Sequence, residues 1–139
     1  MRLNSGEYVI SDPCYVFDNA KYSRFLDETD YFGCAYMGGV FKDSVTWKLF
    51  AVFSTKWGDG SYEDNVGRVY AVDAGCIGCI PIELCDITSG RYIHRHTFDK
   101  PFDVYYDNGK IHFGDVIIDT DPGFEDADDY EDEDEDEEQ

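Results

Sequence analysis

The chain has 139 residues, with 31 Asp and Glu against 11 Lys and Arg and a formal charge of −20. That length makes one ordinary domain, or one domain with a tail. No apolar run approaches the roughly 18–20 residues that span a bilayer, and the acidic balance disfavours binding of nucleic acid by the whole surface, because phosphate neutralisation needs clustered Lys and Arg.

Short strands dominate the chain order. Glu7–Ile10 is the first, stopped by Ser11-Asp12-Pro13, where Pro removes a ladder donor. Asp18 is placed to cap a short helix over Asn19–Asp27 that carries Tyr22, Phe25 and Leu26 on one side. Tyr31–Met37 and Val40–Asp43 read as strands flanking a two-residue turn at Gly38-Gly39. Over Val45–Thr55, the odd positions Val45, Trp47, Leu49, Ala51 and Phe53 predict a core face, with Thr46, Lys48 and Ser54 turned away. Lys56–Val66, containing Gly58-Asp59-Gly60-Ser61, reads as a loop.

Val69–Val72 and Cys76–Ile82 resume as apolar strands. Arg91–Phe98 alternates, with Tyr92, His94, His96 and Phe98 on one face. Asn108-Gly109 supplies the two positive φ angles of a type I′ hairpin turn, which sets Asp107 opposite Lys110, Tyr106 opposite Ile111 and Val104 opposite Phe113. Val116–Ile118 is the last core segment, and Pro122-Gly123 marks the exit. The pattern predicts a mainly β protein. It is a single antiparallel β-barrel or two-layer β-roll with one short helix over residues 1–118, followed by a disordered acidic tail over residues 119–139.

The charge is segregated in the same way. Asp119–Gln139 holds 14 acidic residues and no basic one, so the body is −6 and the tail −14. Without Leu, Ile or Val the tail cannot bury enough apolar surface to fold alone. Such a run solubilises by repulsion, occupies the basic surface of a partner, or covers a basic patch on its own domain, for which Arg91, Arg95 and Lys100 are candidates. In the partner reading, the carboxylates of Asp128, Asp129, Glu131 and Asp132 imitate phosphates, and Phe124 and Tyr130 anchor by stacking or cation–π contact.

Five Cys, at positions 14, 34, 76, 79 and 85, follow an N-terminus with no apolar signal region and read as reduced cytosolic thiols. Cys76 and Cys79 have the spacing of a zinc knuckle. In a strand, however, positions i and i+3 point to opposite faces, and only a turn at Gly78 would join them. Buried, inert thiols are the expectation. His94 and His96 share a strand face and are metal-ligand candidates, with Cys85 or His112 as a third ligand.

Cys14, in Ser11-Asp12-Pro13-Cys14-Tyr15, is a nucleophile only beside a His, and a turn is the simpler reading. Gly58–Asn65 is oxygen-rich but lacks the ligand alternation and late Glu of an EF-hand. Gly-x-Gly-x-x-Gly, Walker and Gly-x-Ser-x-Gly patterns do not occur, and no cofactor is expected. Trp57, Tyr92, Tyr105 and Tyr106 are candidates for stacking single-stranded nucleic acid, but the body has too few bases to funnel a strand onto them, and core packing is the expected use of most of them.

Three segments in order, Ser11-Asp12-Pro13-Cys14-Tyr15, Ser54–Tyr62 and Val72–Pro81, resemble the landmarks of a group of small uncharacterised bacteriophage proteins, over the span from Gly6 to Asp86. The resemblance carries no catalytic residue with it. It implies a place in the cytoplasm of an infected bacterial host, in agreement with the reduced thiols. The acidic tail is not a feature of that group.

The sequence therefore leads to a non-enzymatic phage accessory protein. Its tail binds a basic surface of a host or phage protein in competition with nucleic acid, with no direct nucleic-acid binding and no membrane. A small metal-binding or hydrolytic enzyme using His94 and His96, and a virion structural component, are the alternatives.

Overall fold

A computed structural model describes residues 1–28 and 38–120. The expected strand at Tyr31–Met37, Cys34, and the tail residues Phe124, Asp128, Asp129, Tyr130, Glu131 and Asp132 lie outside the described residues. Alternating and continuous apolar runs form eleven strands among the described residues: β1 (Arg2–Leu3), β2 (Gly6–Ser11), β3 (Gly38–Lys42), β4 (Leu49–Ser54), β5 (Gly60–Asp64), β6 (Val69–Val72), β7 (Cys76–Pro81), β8 (His94–Phe98), β9 (Phe102–Asp107), β10 (Lys110–Phe113) and β11 (Val116–Asp119). One helix, α1 (Asn19–Glu28), joins them. Asp18 caps it as expected, its Oδ1 accepting the Lys21 N–H at 2.8 Å.

The strands pair antiparallel into two sheets, ordered β1-β9-β10-β11-β5-β6 and β3-β4-β7-β2-β8. Neither sheet closes on itself, so the architecture is a two-layer, sandwich-like one, and the barrel alternative is corrected. Leu3, Tyr8, Ile10, Phe53, Ile77, Cys79, Val104, Ile111, Phe113 and Ile118 fill the space between the sheets. A second core lies on the outer face of the five-stranded sheet, where Val9, Phe50, Val52, Cys76 and Ile80 meet Phe17 and Phe25, the latter on α1. The ring of Phe25 sits 5.4 Å from that of Phe17 and 5.8 Å from that of Phe50.

Burial on both faces explains why β4 and β7 read as nearly unbroken apolar runs. It also corrects the expected face of Val45–Thr55. The alternation holds from Leu49 onward, but Phe50 and Val52 are buried too, against the helix side. Val45 and Trp47 stand outside the core, 65% and 70% exposed. Gly38-Gly39 is not a turn: both glycines lie within β3, opposite Phe53 and Val52. Gly38 has φ +116°, and a Cβ there would strike the carbonyl of Val52, so close strand approach and not chain reversal requires the glycine. The expected loop at Lys56–Val66 is partly strand, because Gly60–Asp64 pairs with β6 and β11 and buries Tyr62 and Asp64.

The β9–β10 hairpin has the expected register residue for residue, with Asn108 and Gly109 at φ 50° and 90°. Asp119 and Thr120, the first two residues of the expected tail, belong to the fold. Asp119 ends β11 opposite Lys110 and Glu63, and the buried Thr120 donates its N–H to the Gly109 carbonyl at 2.8 Å. No helix among the described residues is long and apolar enough to cross a membrane.

Candidate functional site

The segments Ser11–Tyr15, Ser54–Tyr62 and Val72–Pro81 meet at one end of the five-stranded sheet. Pro13 ends β2 and leaves the buried Asp12 at the cap of a 3-10 turn, where its carboxylate accepts the Cys14 N–H at 3.0 Å. The other carboxylate oxygen accepts the N–H groups of Asp73 and Ala74, both at 2.7 Å, from the β6–β7 turn. Tyr15 donates its hydroxyl to Asp73 at 2.7 Å, and Thr55, at the end of β4, donates its N–H to the Gly75 carbonyl at 3.0 Å. These motifs form a clasp that satisfies turn backbone.

The clasp is a poor place for a nucleophile. Burial, followed by the neighbouring carboxylates of Asp12 and Asp73, pushes the Cys14 thiol up to about 12 and so keeps it protonated.

The candidate metal ligands do not converge. His94 and His96 share a face of β8, opposite Ile10 and Tyr8 and thus on the side of the inter-sheet core. His94 Nε2 lies 2.7 Å from the Val69 carbonyl, with its ring edge-on to Tyr70. His96 Nε2 lies 3.4 Å from Asp115, and its ring centroid is 4.5 Å from that of Phe98. Cys85 packs against the helix-side core, across the five-stranded sheet, and burial pushes its thiol up to about 12. His112 stacks on Tyr105, with ring centroids 4.2 Å apart.

Cys76 and Cys79 belong to opposite cores of the same strand, as the strand reading of that segment requires. Among the described residues no three His, Cys, Asp or Glu side chains are placed to hold one metal ion. The candidate basic patch is also altered, because Arg95 is committed to Glu7 at 2.7 Å and Arg91 lies over the Tyr92 ring.

The opposite end of the sheet holds an open cleft of about 480 Å³ between the β1–β2 turn, the β3–β4 connection and the segment Pro81–Glu83. Lys42, Trp47, Lys48 and Leu49 form one wall, and Glu7, Tyr8 and Glu83 another. Buried Asp43 builds the connection. Its Oδ2 accepts the Thr46 N–H at 2.8 Å and hydroxyl at 2.7 Å, and its Oδ1 accepts the Arg24 guanidinium at 2.8 Å. Burial alone would raise this carboxyl, but the Thr46 and Arg24 donors outweigh it and hold Asp43 below the ordinary carboxylate range.

The Trp47 N–H closes the turn onto the Asp43 carbonyl at 2.8 Å. That bond holds the tryptophan at φ +67°, a left-handed conformation that is costly for a bulky residue, with its indole facing solvent. The Lys42 ammonium lies 4.8 Å from the indole centroid. Sequence periodicity assigned Trp47 to the core and missed this cleft. The available signal was Asp43 three residues before Thr46, a side-chain-capped turn, flanked by two lysines.

No protein-family model, no curated protein and no solved structure matches the chain.

Proposed function

We propose that this is a non-enzymatic phage accessory protein of the host bacterial cytoplasm. Its acidic C-terminal segment binds a basic surface of a host or phage protein in competition with nucleic acid. The segregation of charge carries the reading: 13 of the 31 acidic residues follow Thr120, and no Lys or Arg accompanies them. Thr120 supplies a fixed point of departure, since its hydroxyl accepts the Lys56 N–H at 3.0 Å and donates to the Gly109 carbonyl. A dense run of carboxylates competes with phosphates for the same Lys and Arg, and the attraction weakens as salt shortens the Debye length from about 8 Å at physiological ionic strength.

The test compares the full chain with a variant in which all thirteen acidic residues after Thr120, Asp128, Asp129, Glu131 and Asp132 among them, are changed to Asn and Gln. Each is immobilised and presented with bacterial lysate with and without nuclease. The full chain is expected to retain strongly basic proteins, to release them as salt rises, and to lose them to added nucleic acid. Equal retention by the neutralised variant, or retention indifferent to salt, overturns the reading.

A further inference from the structure

We propose that the Trp47 cleft is a binding site for an acidic peptide segment bearing an aromatic side chain, and that its occupant is the chain's own segment Asp128-Asp129-Tyr130-Glu131-Asp132. The inference rests on the reading of the C-terminal segment as a ligand for basic surfaces, and places one such surface on the same molecule.

Charge is the first argument. Arg2, Lys21, Arg24, Arg68, Arg95 and Lys110 each meet a carboxylate within the described fold. Lys42 and Lys48, both exposed, have no carboxylate partner among the described residues, although the chain is heavily acidic. Both line the same cleft. Of the two acidic residues on the facing wall, Glu7 is neutralised by Arg95 at 2.7 Å, which leaves Glu83 as the single opposing charge. The rest of the body is net negative, but charges beyond about 8–10 Å are screened at physiological salt, so the local lysines govern docking.

Shape and composition supply the second argument. The indole of Trp47 is presented to solvent by a turn that Asp43 holds from within, in a left-handed backbone conformation that is costly for a bulky residue. An aromatic flanked by lysines is complementary to an aromatic flanked by carboxylates. Tyr130 stands between Asp128-Asp129 and Glu131-Asp132. The cleft volume of about 480 Å³ admits a few side chains.

Reach is the third argument. Thr120 is bonded to Lys56, two residues beyond one end of β4, and Leu49, at its other end, lines the cleft. The seven residue steps from Leu49 to Lys56 span about 23 Å at strand rise, whereas the ten steps from Thr120 to Tyr130 extend to about 33–36 Å. A tether of that length sets an effective concentration on the order of mM, enough for individually weak contacts. Docking in cis then masks the carboxylates that a partner would use, and a basic partner has to displace them.

The experiment follows the Trp47 indole N–H resonance of the full chain by NMR, assigned from its loss in Trp47→Phe. Tyr130→Ala and the exposed pair Lys42→Gln/Lys48→Gln are compared with the parent chain as salt is raised. The remaining amide spectrum reports that each variant is folded. The parent resonance is expected to move with salt toward the position that Tyr130→Ala occupies at low salt, independently of protein concentration. A resonance indifferent to both Tyr130→Ala and salt overturns the proposal. So does a shift that grows with protein concentration, which would place the segment of a second copy in the cleft.

Binding to polylysine separates this inference from the proposed function. Freeing a segment docked for most of the time tightens that binding roughly three- to tenfold in the double lysine variant. An unmoved indole with polylysine still bound removes the cleft and leaves the acidic ligand. A moving indole with no polylysine bound does the reverse.

Discussion

The carboxylate of Asp12, at the end of β2, accepts the backbone N–H of Asp73 at 2.7 Å, sixty-one positions further along the chain. The same oxygen takes the Ala74 N–H at 2.7 Å, and its partner oxygen takes that of Cys14 at 3.0 Å. One fully buried side chain thus holds two turns that no strand ladder satisfies.

Removing the Asp12 acceptor strands three backbone donors. Asp12→Ala is expected to lower the unfolding free energy in urea by roughly 2–4 kcal/mol, and Asp12→Asn, which keeps one acceptor oxygen, by less. A loss below about 1 kcal/mol for Asp12→Ala would mean that the clasp is dispensable to the fold.

Acid should unfold the protein through specific carboxylates. Burial tends to raise the Asp64 carboxyl, but the hydroxyl of Tyr70, the N–H groups of Val66 and Arg68 and the Arg68 guanidinium outweigh it and hold it below the ordinary range. Asp43 and Asp86 are lowered in the same sense. A depressed folded-state pKa contributes stability that is complete above the unfolded value of about 3.9 and is lost as pH falls through the folded value. Urea midpoints measured from pH 7 down to pH 2.5 should therefore fall below about pH 4. Asp64→Asn should be less stable at pH 7 and show a shallower acid decline. An Asp64→Asn profile parallel to the parent would contradict this assignment.

The thiols should be protected by the fold. Burial raises the Cys76 and Cys79 thiols well above their ordinary value, and Cys14 and Cys85 reach about 12. At pH 8 a thiol of that pKa is ionised to about one part in ten thousand. Iodoacetamide labelling followed by peptide mapping should show Cys76 and Cys79 modified only as the chain unfolds. Labelling of Cys79 in the native protein at the rate of a free thiol would show that β7 opens locally.

Trp47 should be a site where stability and function conflict. Asn tolerates the left-handed region at lower cost, so Trp47→Asn is expected to stabilise the fold by roughly 0.5–1.5 kcal/mol while removing the indole from the cleft. Thermal unfolding measures the gain. A destabilised Trp47→Asn would mean that the exposed ring contributes packing that its 70% exposure does not reveal.

What was legible in the sequence depended on near neighbours. Asn108-Gly109 specified its turn and, through it, four cross-strand pairs, because positive φ angles and a period of two leave one register. Asp18 announced α1 three residues ahead of the N–H it accepts. The same alternation separated Cys76 from Cys79 and placed His94 beside His96. It failed where a residue's environment came from elsewhere in the chain. Gly38 is glycine because of Val52, β5 is a strand because β6 and β11 flank it, and Trp47 leaves the apolar series because Asp43 turns the chain at that point.

The separation of a mildly acidic, aromatic-rich body from a C-terminal run of carboxylates, the mainly β character and the hairpin register were all present in the amino-acid order, since they need only composition and local backbone preference. Whether the strands closed into a barrel, whether the histidines and thiols converged, and where two lysines and a tryptophan came to face one cleft depended on pairings between residues far apart in the chain. Those pairings are chosen by the joint burial of both faces of the five-stranded sheet, a condition no single segment carries.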